Sequence, residues 1–189
     1  AKESVDMLQS ESERLSRLTE NLMTLARSDE DFLPVYTAQV DITALCKKVA
    51  AQMSLLAAEK KLQLKQAIDD NLVMQGDEMA LSRLLIILLD NAMKYSPEQT
   101  TITLRAAKVK THLVLEVRDV GCGISDDDKQ KIFDRFFRVD KARSRSQGGL
   151  GLGLSLALAI VRQHGGSIKV LDNKPQGTVM YVQLPTAAK

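Results

Sequence analysis

The run Gly148-Gly-Leu-Gly-Leu-Gly-Leu-Ser155 constrains this chain more than any other stretch. Gly149, Gly151 and Gly153 stand immediately before an apolar helical pattern, Leu156-Ala-Leu-Ala-Ile-Val161. Glycine lets a backbone approach a ligand with no side chain in the way. The first turn of the helix that follows leaves N–H groups unpaired and partly positive, which favours an anion. The spacing fits neither the dinucleotide fingerprint nor the phosphate loop that ends in Gly-Lys-Ser/Thr. No Lys follows the last glycine, and no long strand leads into the first. Taken alone, such a run is as readily a hinge, so its neighbours must decide.

The 189 residues suffice for one packed domain and an appendage. A net charge of +2, with 4% aromatic residues and no Trp, argues against a nucleic-acid-binding surface. Cys46 and Cys122 are not spaced as a metal site and fit a reducing compartment. No apolar run approaches the roughly 20 residues that span a bilayer. The chain starts at Ala1 rather than Met, so it is expected to be a piece of a longer protein.

Residues 1–30 read as one long helix, with Leu8, Leu15 and Leu22 seven apart and Leu18 and Leu25 offset by three. A lone helix cannot bury such a seam, so a coiled coil or bundle partner is expected. Asp29 to Asp31 and Pro34 put a boundary near residue 32, giving domains 1–31 and 32–189. Asp41 is placed to cap a helix whose apolar stripe is Ile42, Leu45, Cys46, Val49, Met53 and Leu56. Leu62 and Leu64 alternate as a strand does, and Leu72-Val-Met74 is a second short strand. Gly76-Asp77 starts a helix over about 78–94, with Leu81, Leu84, Leu85, Leu88 and Leu89 inward. The runs 102–106 and 113–117 read as antiparallel neighbours joined near Lys108 to Thr111. Ser125 and Asp128 predict a capping box and a short helix to Phe133. Residues 167–171 and 178–184 form a last hairpin, turned by Asp172, Asn173, Pro175 and Gly177. The fold class is therefore α+β: a mixed, mostly antiparallel sheet of about five strands with helices on one face, preceded by a long helix.

Four clusters follow in order: Asp90-Asn-Ala-Met-Lys-Tyr-Ser96, Asp119-Val-Gly-Cys-Gly-Ile124, Ile132-Phe-Asp-Arg-Phe-Phe-Arg-Val-Asp140, and the glycine run. Each alone has a plain structural explanation. In this order and at these spacings they resemble the N, G1, F and G2 boxes of sensor histidine kinases. Residues 10–27 are similar to the second helix of that family's dimerisation hairpin. The remainder resembles its ATP-binding domain, which type II topoisomerases, mismatch-repair ATPases and large heat-shock chaperones share in outline.

The resemblance implies ATP and Mg²⁺ as cofactors, and roles residue by residue. Asn91 would coordinate Mg²⁺, Lys94 would offset phosphate charge, and Tyr95 would line the nucleotide's other end. Asp119 would accept the adenine amino proton. Gly121 and Gly123 would let the chain approach the base, with Ile124 packed near it. Arg138, with Lys141 or Arg143, would meet the phosphates from a basic lid anchored by Phe133, Phe136 and Phe137. Gly149, Leu150, Gly151, Leu152, Gly153 and Leu154 would wrap the phosphates. Two departures stand out. Ile87 occupies the place where chaperone relatives carry a water-activating Glu, which argues against simple hydrolysis. Leu150 replaces a frequent small hydroxyl residue. The phosphoacceptor His is also missing: only His112 and His164 are present, and neither is followed by an acid. The implied enzyme would therefore transfer the γ-phosphoryl group to a His outside this chain, for passage to a response regulator. It would dimerise through the N-terminal hairpin and form the cytoplasmic part of a membrane-anchored sensor. The rival expectations are an ATP-gated conformational ATPase of the same superfamily and a non-catalytic dimerisation or docking module.

Overall fold

The computed structural model describes residues 38–139 and 151–186, together with Ser12 and Thr19, both helical. The chain divides into two compact units, Ala1–Pro34 and Val35–Lys189. The leucine seam of the first unit lies outside the described residues.

In the second unit the order is β1 (Ala38–Asp41), α1 (Ile42–Glu59), β2 (Gln63–Ile68), β3 (Val73–Gly76), α2 (Glu78–Tyr95), β4 (Thr101–Val109) and β5 (His112–Arg118). A 3-10 turn (Lys131–Phe133), α3 (Gly153–Gln163), β6 (Ser167–Asp172) and β7 (Thr178–Pro185) complete it. Both long helices begin where a carboxylate can take an unpaired amide. Asp41 accepts from the Ala44 N–H at 2.9 Å, and Asp77 from the Ala80 N–H at 3.1 Å. Helix α1 buries Ile42, Leu45, Cys46, Val49 and Met53. Leu56, expected on that stripe, is 45% exposed and Ala57 is buried in its place. Burial pushes the Cys46 thiol up to about 12, so it is an inert core residue. On α2 the five inward leucines are each at most 1% exposed.

The main sheet has the order β2-β4-β5-β7-β6, parallel only between β2 and β4. The β4–β5 register sets Leu104 against Val117 and Ala106 against Leu115, and β7 sets Val182 beside Leu115. These side chains, with Ile102, Leu113, Met180 and Leu184, form the face that the helices cover. On the other face, Glu116 is 5% exposed and accepts from Arg105 at 2.9 Å and from Arg118 at 2.5 Å. Two guanidinium groups compensate the desolvation of this carboxylate.

Strand β3 pairs antiparallel with β1, Val40 opposite Met74, in a separate two-stranded sheet. One expectation needs correcting. Residues 125–133 do not form an α-helix. The Ser125 hydroxyl donates to the Asp128 carboxylate at 2.8 Å instead of capping an amide, and only the 3-10 turn follows.

Candidate functional site

Strand β5 delivers Asp119 into the interior, where it is 5% exposed. Its Oδ1 accepts from the Gly121 N–H at 2.8 Å and from the Thr178 N–H at 3.1 Å. Burial raises the carboxyl pKa, and the two backbone donors pull it back down. Among the described residues nothing donates to Oδ2, and no buried side-chain oxygen or nitrogen is left without a partner. Asp119 thus has one oxygen held by the backbone and one available to a ligand.

The loop after Asp119 runs against the end of α2. A Cβ at Gly121 would lie 2.6 Å from the Tyr95 carbonyl oxygen, so only glycine fits there. This contact brings the 119–124 loop to the helical turn that holds half-buried Asn91 and Lys94. The Tyr95 ring is 51% exposed. Lys94 Nζ lies 2.5 Å from Asp90 Oδ2, so its charge is engaged within α2. Beyond Gly121, Gly123 and Ile124 line a cleft of about 470 Å³ that the β6–β7 turn closes on its far side.

The glycine run reaches the same region from α3. Gly151 has φ +72°, and a Cβ there would meet the Phe137 carbonyl at 2.8 Å. Its carbonyl accepts from the Phe136 N–H at 3.0 Å. Phe136 is therefore held through its backbone, while the residue is 60% exposed. Leu152 is buried at the N-cap of α3, and its side chain caps none of the amides that open the helix. A Cβ at Gly153 would sit 3.5 Å from Ile87 Cγ2, so α3 starts beside α2 one turn before Asn91. Its partly positive end thus lies about one turn from Asn91 along α2. Arg138 is half-buried. Lys141, Arg143, Gly149 and Leu150 lie outside the described residues. Among those described, no cluster of three or more His, Cys, Asp or Glu could hold a metal by itself.

Three residues that the sequence analysis read only as turn or strand belong to the site. Thr178 donates to the Asp119 carboxylate, Gly177 packs on the Asp119 carbonyl, and Asn173 donates to that carbonyl at 2.7 Å. The available signal was a Gly-Thr pair opening the strand beside the one that ends in Asp119.

The family model described as histidine kinase-, DNA gyrase B- and HSP90-like ATPase matches residues 76–188. Sensor protein CiaH of Streptococcus pneumoniae serotype 4 (strain ATCC BAA-334 / TIGR4) is 39% identical over 167 residues, 88% of this chain and 37% of its own length. Sensor protein SrrB of Staphylococcus aureus (strain NCTC 8325 / PS 47) is 33% identical over 184 residues, 97% of this chain and 32% of its own. This chain therefore spans about a third of those relatives. Among solved structures, full-length ShkA in complex with AMPPNP superposes over 100% of this chain and 40% of its own. The TM-score is 0.84 at 26% identity.

Proposed function

Because this chain belongs to the family of histidine kinase-, DNA gyrase B- and HSP90-like ATPases, and is the ATP-binding catalytic domain of a histidine kinase, we propose that it presents Mg·ATP to a phosphoacceptor histidine outside its 189 residues. The observation that carries this reading is Asp119, buried with one carboxylate oxygen fixed and the other without a donor among the described residues. That oxygen accepts the adenine amino group and repels the carbonyl that guanine places there. Gly121, Gly123 and Ile124 flank the base. The opening amides of α3, with Gly151 to Leu154, hold the phosphates, and Arg138 adds charge from the segment pinned to Gly151. Asn91 offers Mg²⁺ a neutral oxygen, suited to a hard cation that also takes phosphate and water ligands. Tyr95, at the end of α2, is assigned to the nucleotide's other end, and Lys94 reaches phosphate by leaving Asp90.

Bound ATP supplies the group to be transferred; the protein's part is positioning and charge compensation. Neither histidine of the chain suits the acceptor role. His112 opens β5, and both ring nitrogens of buried His164 are engaged, with the Ile160 carbonyl at 2.8 Å and the Asp77 N–H at 3.0 Å. The acceptor therefore belongs to a dimerisation hairpin, and a response regulator takes the phosphoryl group from it. Among the described residues no helix is long and apolar enough to cross a membrane.

The test is thermal unfolding with ATP, ADP and GTP, with and without Mg²⁺, on the wild type and on Asp119→Ala. A nucleotide at 100 times its dissociation constant adds about 2.7 kcal/mol. Adenine nucleotides should stabilise the wild type, guanine ones should not, and Asp119→Ala should lose the effect. A wild type that responds to no nucleotide at millimolar concentration would overturn the proposal.

A further inference from the structure

The antiparallel ladder between β5 and β7 pairs Arg118 with Val179, and the next pair in register is Asp119 with Thr178. A hydrogen-bonded antiparallel pair exchanges two bonds, each residue's N–H going to the other's carbonyl. Here only half of the exchange is made. The Asp119 N–H donates to the Thr178 carbonyl at 2.9 Å. The Thr178 N–H turns aside and donates to the Asp119 side chain, Oδ1, at 3.1 Å. The Asp119 carbonyl has thereby lost its ladder donor in a buried setting, which is unfavourable unless another group donates.

Asn173 is that group. Its Nδ2 reaches the Asp119 carbonyl at 2.7 Å across 54 residues of sequence. The Asn173 backbone N–H donates to the Gly177 carbonyl at 3.0 Å, which closes the β6–β7 turn around the contact. Gly177 sits with φ +116° against the Asp119 carbonyl, where any Cβ would collide. The neighbouring Asp172 is held from the other side, 2.8 Å from Lys129 Nζ, and that ammonium also pairs with Asp126 at 2.6 Å. The turn is thus tied both before and after the 119–124 loop.

We propose that Asn173 is a positioning residue for the Asp119 carboxylate. By supplying the missing ladder donor, it leaves the Thr178 amide free to fix Oδ1, which in turn aims Oδ2 at the base. Without the Asn173 donor, the favourable course is for the Thr178 N–H to swing back to the carbonyl and release the carboxylate. This inference rests on the adenine-recognising role given to Asp119 above.

The decisive variant is Asn173→Asp, which keeps the side-chain shape but replaces the donor by an acceptor facing a carbonyl; Asn173→Ala is its companion. ATP and GTP affinities are measured by calorimetry, and backbone amide hydrogen exchange is read at Gly121 and Thr178. Both variants should bind ATP about tenfold more weakly, the change one hydrogen bond of ordinary net strength controls. The preference for ATP over GTP should fall by a similar factor, and the Gly121 amide should exchange about tenfold faster. A residue that merely holds the turn together would lower the melting temperature and leave the ATP-to-GTP ratio and Gly121 exchange at wild-type values. That result would overturn the proposal. If the wild type itself binds no adenine nucleotide, the adenine role of Asp119 fails, and exchange at Gly121 and Thr178 still decides whether Asn173 positions the carboxylate.

Discussion

Asp119 is a compromise between stability and recognition at the scale of one residue. Burial favours its neutral form, so its folded pKa lies above the unfolded value of about 3.9. Between those two values the folded state binds more protons than the unfolded one, so this residue's contribution to stability declines as pH rises. Asp119→Asn keeps an oxygen for the Gly121 and Thr178 amides and removes the buried charge. Its nucleotide-free form should therefore melt no lower than the wild type at pH 7, while the wild type gains on it as the solution is acidified toward pH 4. The same variant should lose ATP stabilisation, because the new amide would point a donor at the adenine amino group. Scanning calorimetry across that pH range reads both effects. The glycines of the run divide just as sharply. Gly151→Ala should cost about 1–3 kcal/mol, since its positive φ and the nearby Phe137 carbonyl leave no room for a methyl group. At Gly153 a methyl would meet Ile87 at an ordinary 3.5 Å, so Gly153→Ala should fold normally. Equal melting temperatures for the two would refute the distinction.

Secondary-structure elements were legible where a polar cap and an apolar period coincide. Asp77 followed by five leucines at helical spacing predicts α2, and its start and inward face are found as expected. Those leucines tie α2 to the sheet, so Leu88→Ala, at 0% exposure, should cost about 2–5 kcal/mol in chemical denaturation. Where only one of the two signals was present, the outcome differed. Ser125 and Asp128 have the capping pattern, but Asp126 to Gln130 offers no apolar residue to bury, so no α-helix propagates. Strand β1 has a single inward apolar residue, Val40, in four, too little for alternation to register. Partner choice is also invisible to alternation, which is why Leu72 to Met74 read as a strand without its pairing to β1. In the site, Asp119 and the glycines were legible because their chemistry is local. Asn173 and Thr178 were not, because their role arises from pairing with a residue more than 50 positions away.

For the whole molecule, the division at Pro34 makes a simple prediction: residues 35–189 alone should fold and keep their nucleotide-dependent melting shift. If the shift vanished, the first unit would be needed for the site. The full 189-residue chain should associate through its leucine seam, and a monomer at high concentration in sedimentation would refute that. The topology also bears on time. The β4–β5 hairpin spans only Thr101–Arg118, so it closes early and at small entropic cost. The clamp on Asp119 joins positions 59 apart in sequence and needs β7 docked beside β5. We predict that this clamp closes after the rate-limiting barrier, so that substitutions within it speed unfolding and leave the folding rate unchanged. A ligand held by that clamp then meets only the finished protein. In stopped-flow experiments ATP should slow unfolding and leave the refolding rate unchanged, so that it acts on this domain as a brake on loss rather than as a template for assembly.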